Sequence, residues 1–226
     1  MRPILPFFAV AITLIACAAA GTSDSAPAAP GTAVPTVSDE GLAPSYPPSA
    51  TEGERGVAIF AGGCFWCVES EYDDLPGVFA AVSGYIGGPE TAPTYKQVAS
   101  GATGHTEAVR VVFDPSVVTY EQLLDRFWKN HDPFRADAQF CDRGTQYRPG
   151  IFPLDADQRE AAHRTKGEVA KRFGEDVVTE ITDAGVFWTA EDYHQDFHHK
   201  NPGHYLRYRM GCGRDKRLKE IWGSSE

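Results

Sequence analysis

The chain has 226 residues, with 31 Asp and Glu against 21 Lys and Arg and a formal net charge of −10. That acidic balance removes the electrostatic basis for general nucleic-acid binding. An apolar share of 42% is that of an ordinary globular protein, long enough to build a full core.

The ends differ from the middle. Residues 1–17 carry Arg2, an apolar stretch from Ile4 to Ile15, and the ending Leu14-Ile15-Ala16-Cys17. This is a secretory signal pattern, too short for a spanning helix. Its end resembles a bacterial lipobox, in which Cys17 would be lipidated; ordinary cleavage after Ala18-Ala19-Ala20 is the competing reading. Residues 18–54 are rich in Ala, Pro, Ser, Thr and Gly, with prolines at 27, 30, 35, 44, 47 and 48. Such a tether cannot offset its own ordering entropy. The folded domain is expected over 55–222, with 223–226 a tail. The implied setting is an exported, periplasmic monomer, lipid-anchored to the envelope.

Within the folded part, Val57 to Ala61 followed by Gly62-Gly63 predicts a strand ending in a tight turn. Cys64 to Leu75 lacks Gly and Pro and predicts a helix. Cys64 then sits at a helix N-terminus, where free N–H groups and the macrodipole favour a thiolate. Phe65 and Trp66 would wall it with apolar surface. Val78 to Ile86 predicts a second strand, closed by Gly87-Gly88-Pro89, and Glu107 to Phe113 a third, stopped by Asp114-Pro115. Thr119 and Gln122 have capping-box spacing before a helix whose apolar face is Leu123, Leu124, Phe127 and Trp128. Asp155 and Gln158 repeat that logic for a helix over 156–173. Short strands follow at Val177 to Ile181 and Val186 to Trp188, then a short helix from Thr189 through Phe197 and a last one at Lys216 to Trp222. Strands and helices are interspersed without strict alternation, which predicts an α+β sandwich.

The candidate chemistry lies at scattered positions. Glu107 shares a strand face with Val109, Val111 and Phe113, so its carboxyl would be partly desolvated and its pKa raised; the alternative is a carboxylate that simply reaches solvent. Tyr95 and Tyr147 could each donate to a developing oxyanion or merely fill a core, and Asp142 beside Arg143 could be a surface charge pair. His194 and His198 fall at i, i+4 with His199 beside them, but the glutamate of the zinc-protease pattern is missing, so neither a metal nor a cofactor is assigned. Cys64-Phe65-Trp66-Cys67 has two readings. One is a general thiol–disulfide oxidoreductase; the other is a nucleophile resolved by a neighbouring thiol.

Read together, the segments resemble the type A peptide methionine sulfoxide reductases. The resemblance is carried by Gly63-Cys64-Phe65-Trp66, Ser83-Gly84-Tyr85-Ile86-Gly87-Gly88, Pro93-Thr94-Tyr95, Gly104-His105-Thr106-Glu107-Ala108-Val109, Asp114-Pro115 and Gly144-Thr145-Gln146-Tyr147-Arg148. Tyr193-His194-Gln195 and Lys200-Asn201-Pro202 also fit, in the family's order. The resemblance implies a ferredoxin-like α+β sandwich with a mixed sheet and flanking helices. It implies reduction of the S epimer of methionine sulfoxide, free or in proteins, with a thioredoxin-like reductant. Carried over residue by residue, the nucleophile is Cys64, the acid Glu107, and the oxygen-binding partners Tyr95, Asp142 and Tyr147. Phe65 and Trp66 fall on the methyl pocket. The chain departs from the commonest pattern after Trp66, where many relatives have glycine. Cys67 is therefore expected as the first resolving thiol, with Cys212 on a mobile glycine-flanked tail as second or relay, and Cys141 as a buried or passive thiol.

Overall fold

Three strands carry the fold of the computed structural model, which describes residues 55–223: β1 (Gly56–Ala61), β2 (Val78–Ile86) and β3 (Thr106–Phe113). The signal pattern, Cys17, the tether and residues 224–226 lie outside the described residues. β3 runs antiparallel between the other two, with Phe60 opposite Val109 and Tyr85 opposite Glu107. Short strands extend this sheet. β6 (Gly150–Ile151) pairs with β1, β7 (Glu180–Ile181) lies parallel to β6, and β8 (Trp188–Thr189) pairs with β2. The order is β7-β6-β1-β3-β2-β8, a mixed sheet with one parallel pair among antiparallel neighbours. A separate hairpin joins β4 (Ala138–Gln139) to β5 (Asp142–Arg143).

All eight residues of β3 are buried, because both faces of the sheet are covered. Val109, Val111 and Phe113 face the main core with Phe60, Leu123, Leu124 and Phe127. Ala108 packs on the other side with Ile59, Ala61, Ile86 and Phe152. The helices are α1 (Phe65–Glu69), α2 (Tyr95–Ala99), α3 (Tyr120–Lys129), α4 (Ala156–Phe173), α5 (Phe197–Lys200), α6 (Pro202–Gly211) and α7 (Arg214–Trp222). The foreseen caps are present: Thr119 and Gln122 exchange bonds reciprocally at α3, and the Asp155 carboxylate accepts from the Gln158 N–H at 2.8 Å. α3 buries Leu123, Leu124, Phe127 and Trp128; truncating either leucine to alanine would cost roughly 2–5 kcal/mol. Among the described residues no helix is long and apolar enough to cross a membrane.

Four expectations need correction. The helix after Cys64 is regular only as far as Glu69. Beyond it the N–H groups of Glu71, Tyr72 and Leu75 bond three residues back, and the Ser70 hydroxyl takes the Cys67 carbonyl. The strand expected over Val177 to Ile181 contracts to the two residues that meet β6, and that at Val186 to Trp188 shifts to the pair facing Gly84 and Tyr85. Residues 190–196 are not helical, with turns over 192–196, and α5 begins only after Asp196, whose φ is +52°. The helix α6, with Pro202 at its first position, was not foreseen.

Candidate active site

The nucleophile's position starts from a glycine. Gly63 has φ +89°, and a Cβ there would fall 2.5 Å from the Cβ of Gln139, so the turn from β1 into α1 admits no side chain. Cys64 follows as the residue capping α1. The next N–H, of Phe65, donates to Oε2 of Glu107 at 3.0 Å. β3 thus delivers a carboxyl group to the start of the cysteine's helix.

Glu107 is 2% exposed. Burial raises its pKa, the Phe65 N–H partly opposes this, and the charges of Asp142 and Cys67 add to it, leaving the carboxyl pushed up to about 8. At neutral pH it is a protonated acid in a buried site.

Cys64 and Cys67 share a hydrogen bond one turn apart, and both are buried and free of disulfides. Burial pushes the Cys64 thiol well up, with the Cys67 partner and the Glu107 charge adding to it. The bond from Cys64 lowers Cys67 to about 7 against its own burial, helped by Arg214 and Arg209. Burial therefore opposes the helix end at Cys64, while the bond between the two thiols lets the pair share one negative charge.

Hydroxyl groups surround the pair. Tyr208, from α6, donates to Oδ2 of Asp142 at 2.5 Å and also hydrogen-bonds the Cys64 thiol. Burial first, then the charges of Cys64 and Asp142, raise its pKa, so it stays a neutral donor. Tyr95 is pushed up to about 12 by burial and then by Glu107 and Cys64. Burial, then Glu107, raises Tyr147, with Tyr95, Asp142 and Cys64 contributing. Both phenols are half-buried and feel the same three groups, so the structure brings Cys64, Glu107, Tyr95, Asp142 and Tyr147 into one site. Burial also raises the pKa of Asp142, which the Tyr208 bond opposes.

The aromatic pair divides its duties. The Phe65 ring is buried, packed against Tyr85, Tyr95 and His194 at centroid distances of 5.9, 6.3 and 4.9 Å. Trp66 is half-buried and stacks on Phe197 at 3.7 Å, with Tyr208 at its edge. Its indole N–H donates to Nδ1 of His194 at 3.0 Å. Burial lowers His194 to about 4, so a neutral imidazole accepts this bond. His194 is thereby committed to Trp66, and the expected i, i+4 imidazole pair does not form because residues 190–196 are not helical.

Sequence reasoning missed Tyr208, which lies on the unforeseen helix. It also missed Glu191, whose carboxylate accepts from the Tyr85 hydroxyl and the Tyr95 N–H at 2.8 Å each. Its only signal was the neighbouring Tyr193-His194-Gln195. The rim cysteines need correction too. Cys141 is exposed rather than buried, and it forms a disulfide with Cys212 across 71 residues. Cys212 is not on a mobile tail: it ends α6, and Gly213, with φ +67°, turns the chain directly into α7.

Residues 56–226 match the family model for peptide methionine sulfoxide reductase. The MsrA of Bacillus subtilis (strain 168) is 47% identical over 173 residues, which are 76% of this chain and 98% of that protein. The chain belongs to the peptide methionine sulfoxide reductase family, of the MsrA type. It is an oxidoreductase that reduces methionine sulfoxide to methionine, a repair activity. The MsrA/MsrB protein of Vibrio cholerae is 50% identical over 177 residues, 77% of this chain, but the chain spans only 47% of that longer relative. Among solved structures, the reduced form of Mxr1 from Saccharomyces cerevisiae matches with a TM-score of 0.63 and 32% identity, over 70% of this chain and 89% of that one. Methionine sulfoxide reductase A of Corynebacterium diphtheriae matches with a TM-score of 0.60 and 34% identity, over 66% and 76%. The α+β fold with a mixed sheet and flanking helices is the MsrA fold.

Proposed function

We propose that this MsrA reduces the S epimer of methionine sulfoxide, free or in proteins, with Cys64 as nucleophile and Glu107 as acid. The observation that carries this reading is the Phe65 N–H bond, which holds a protonated carboxyl beside the reactive thiol. The Cys64 thiolate attacks the sulfoxide sulfur while the sulfoxide oxygen takes the Glu107 proton. Tyr95, Tyr147 and the Tyr208–Asp142 pair hold that oxygen as charge builds on it. The hydroxyl then passes to Cys64 as the Cys64–sulfur and sulfur–oxygen bonds both break: one electron pair forms the new bond of the Cys64 sulfenic acid, and the other stays on the departing methionine sulfur. Trp66, backed by Phe197, is the wall for the methionine methyl, and Phe65 supports the site from behind.

Cys67 then attacks the Cys64 sulfenic acid and water leaves, forming a disulfide. An external dithiol of the thioredoxin type then reduces that disulfide, donating two electrons and leaving as its own disulfide. Cys212, tied to Cys141, takes no part in this first resolution step. The test is incubation with dithiothreitol and each separated sulfoxide epimer, followed by quantification of methionine. Equal turnover of the R epimer, or none of the S epimer, would refute the reading.

The site is further read as an exported domain over 55–222, tethered by 18–54 and anchored through lipid on Cys17. Arg2, the apolar run Ile4 to Ile15 and the Leu14-Ile15-Ala16-Cys17 ending support this. A periplasmic protein would then draw on a reductant outside the cytoplasm. Fatty-acid labelling that survives Cys17→Ser would rule the anchor out.

A further inference from the structure

We propose that Asp73, His198 and His199 form a binding site for a divalent cation of the zinc class, fastening α5 to the turn after α1. One donor atom from each of the three lies within 4.8 Å of the other two. The side chain of Asp73 is 6% exposed and that of His198 10%, so both are at least nine-tenths buried. Neither ring nitrogen of His198 makes a hydrogen bond, and the Asp73 carboxylate draws only on the backbone N–H of Ala81. Buried polar atoms without partners are rare, and an unpartnered imidazole facing an incompletely satisfied carboxylate calls for a ligand.

An ion pair accounts for them poorly. Nε2 of His198 lies 3.5 Å from Oδ2 of Asp73, long for a charge-assisted hydrogen bond, and it leaves the other ring nitrogen unmatched. A cation bonded to both groups needs only lone pairs, which a neutral imidazole and a carboxylate supply. Two imidazoles and one carboxylate are a borderline donor set that suits zinc. Tetrahedral zinc, with bonds of about 2.0–2.1 Å, brings its donors roughly 3.4 Å apart. The Asp73–His198 pair is already at that spacing. His199, 56% exposed, has room to swing in, and solvent takes the fourth position.

The neighbouring groups sharpen the choice. Asp74 and Asp196 add negative charge, of which Lys200 offsets part through Asp196 at 3.2 Å. Glu69, Asp73 and Asp196 also converge, but the Glu69 oxygens are taken by the Ser83 hydroxyl and the Asp196 N–H, and Asp196 by Lys200. Cys141, Asp142 and Cys212 converge as well, with both sulfurs consumed in a disulfide. Among the described residues, the Asp73–His198–His199 cluster is the one whose converging donors include an unpartnered imidazole. Its position gives the cation a structural consequence, because Phe197, next to His198, is the residue stacked on Trp66.

The test uses the full untagged chain with Cys64→Ser and Cys67→Ser, so that free thiols cannot compete for metal. Titration with Co²⁺ alone should give one ion per chain, with visible tetrahedral absorption and no sulfur charge-transfer band. Zn²⁺ should displace it and raise Tm by on the order of 5 °C at saturating concentration. His198→Gln and Asp73→Asn should each weaken binding by about 10-fold or more. Thermal unfolding in chelator establishes that each variant is folded. If the two buried variants fail to fold, the exposed His199→Gln decides on its own. Absence of Co²⁺ binding at millimolar concentration, or binding undiminished in every folded variant, overturns the site.

Discussion

The chain carries two cysteine pairs that the same residues serve in opposite ways. Cys64 and Cys67 are buried beneath aromatic rings, reduced, and tuned by Glu107 and two arginines. Cys141 and Cys212 lie at the rim, oxidised, joining a β-hairpin to the end of α6. Asp142 and Tyr208 stand between them: Asp142 adjoins Cys141, and its bond partner Tyr208 touches Cys64. Reactivity in this fold therefore follows environment rather than the presence of a thiol. The inner pair sits where a charge is costly and steered; the outer pair sits where a bridge can hold the charge-steering residues in place.

The comparison is broken most severely at Cys64. Cys64→Ser should lower methionine formation by about a thousandfold or more, whereas a variant of the outer pair should not. Cys67→Ser should stop thioredoxin-coupled recycling while still releasing one methionine per chain in a single turnover, which rapid quench would resolve. Glu107→Gln should slow that first turnover by roughly 100-fold or more. In the unaltered protein the rate should rise with pH as the coupled thiols lose their first proton, then fall as Glu107 loses its proton near 8. Glu107→Gln should erase the alkaline fall. Stability carries the same signature. A carboxyl with its pKa raised from 4.5 to about 8 stabilises the fold fully below 4.5, and that contribution is lost as pH climbs to 8. Denaturant titrations of the glutamine variant should be flatter across that window.

The outer pair responds differently. Removing Cys141 and Cys212 together should leave the first turnover within about threefold, on the size of ordinary surface effects. It should cost on the order of 4 kcal/mol of stability, because the bridge closes a loop of 71 residues. Tyr208→Phe should slow the reaction by about 10-fold, the worth of one hydrogen bond at roughly 1.4 kcal/mol. An effect below about threefold would make Tyr208 only a support for Asp142 and remove it from the groups that hold the oxygen.

What the sequence made legible follows from range. β2 was read with its full limits because turn residues bound it on both sides, and α3 and α4 because their caps are local chemistry. Strand alternation placed Glu107 on the apolar face of its strand, a rule needing only its neighbours, and the family resemblance supplied its role as the acid. Cys64 is buried and bonded by Tyr208 of α6, far along the chain, so local reasoning about helix dipoles could not weigh its desolvation. The Cys141–Cys212 bridge and the Tyr208–Asp142 bond were invisible for the same reason. α6 escaped because its apolar positions are sparse: among its residues only Tyr205 is buried, which leaves no periodic stripe to detect.

Arg214 ties these distances to the order in which the chain is made. Its guanidinium, 1% exposed and packed over Phe140, donates to the carbonyls of Gly62 and Asn130. Gly62 opens the turn that presents Cys64, yet its partner is synthesised 152 residues later. A nascent chain, or one cut short before α7, displays every thiol of the inner pair without the clasp that orients it. Chemical competence therefore comes last in synthesis, when the final helix folds back onto the first turn.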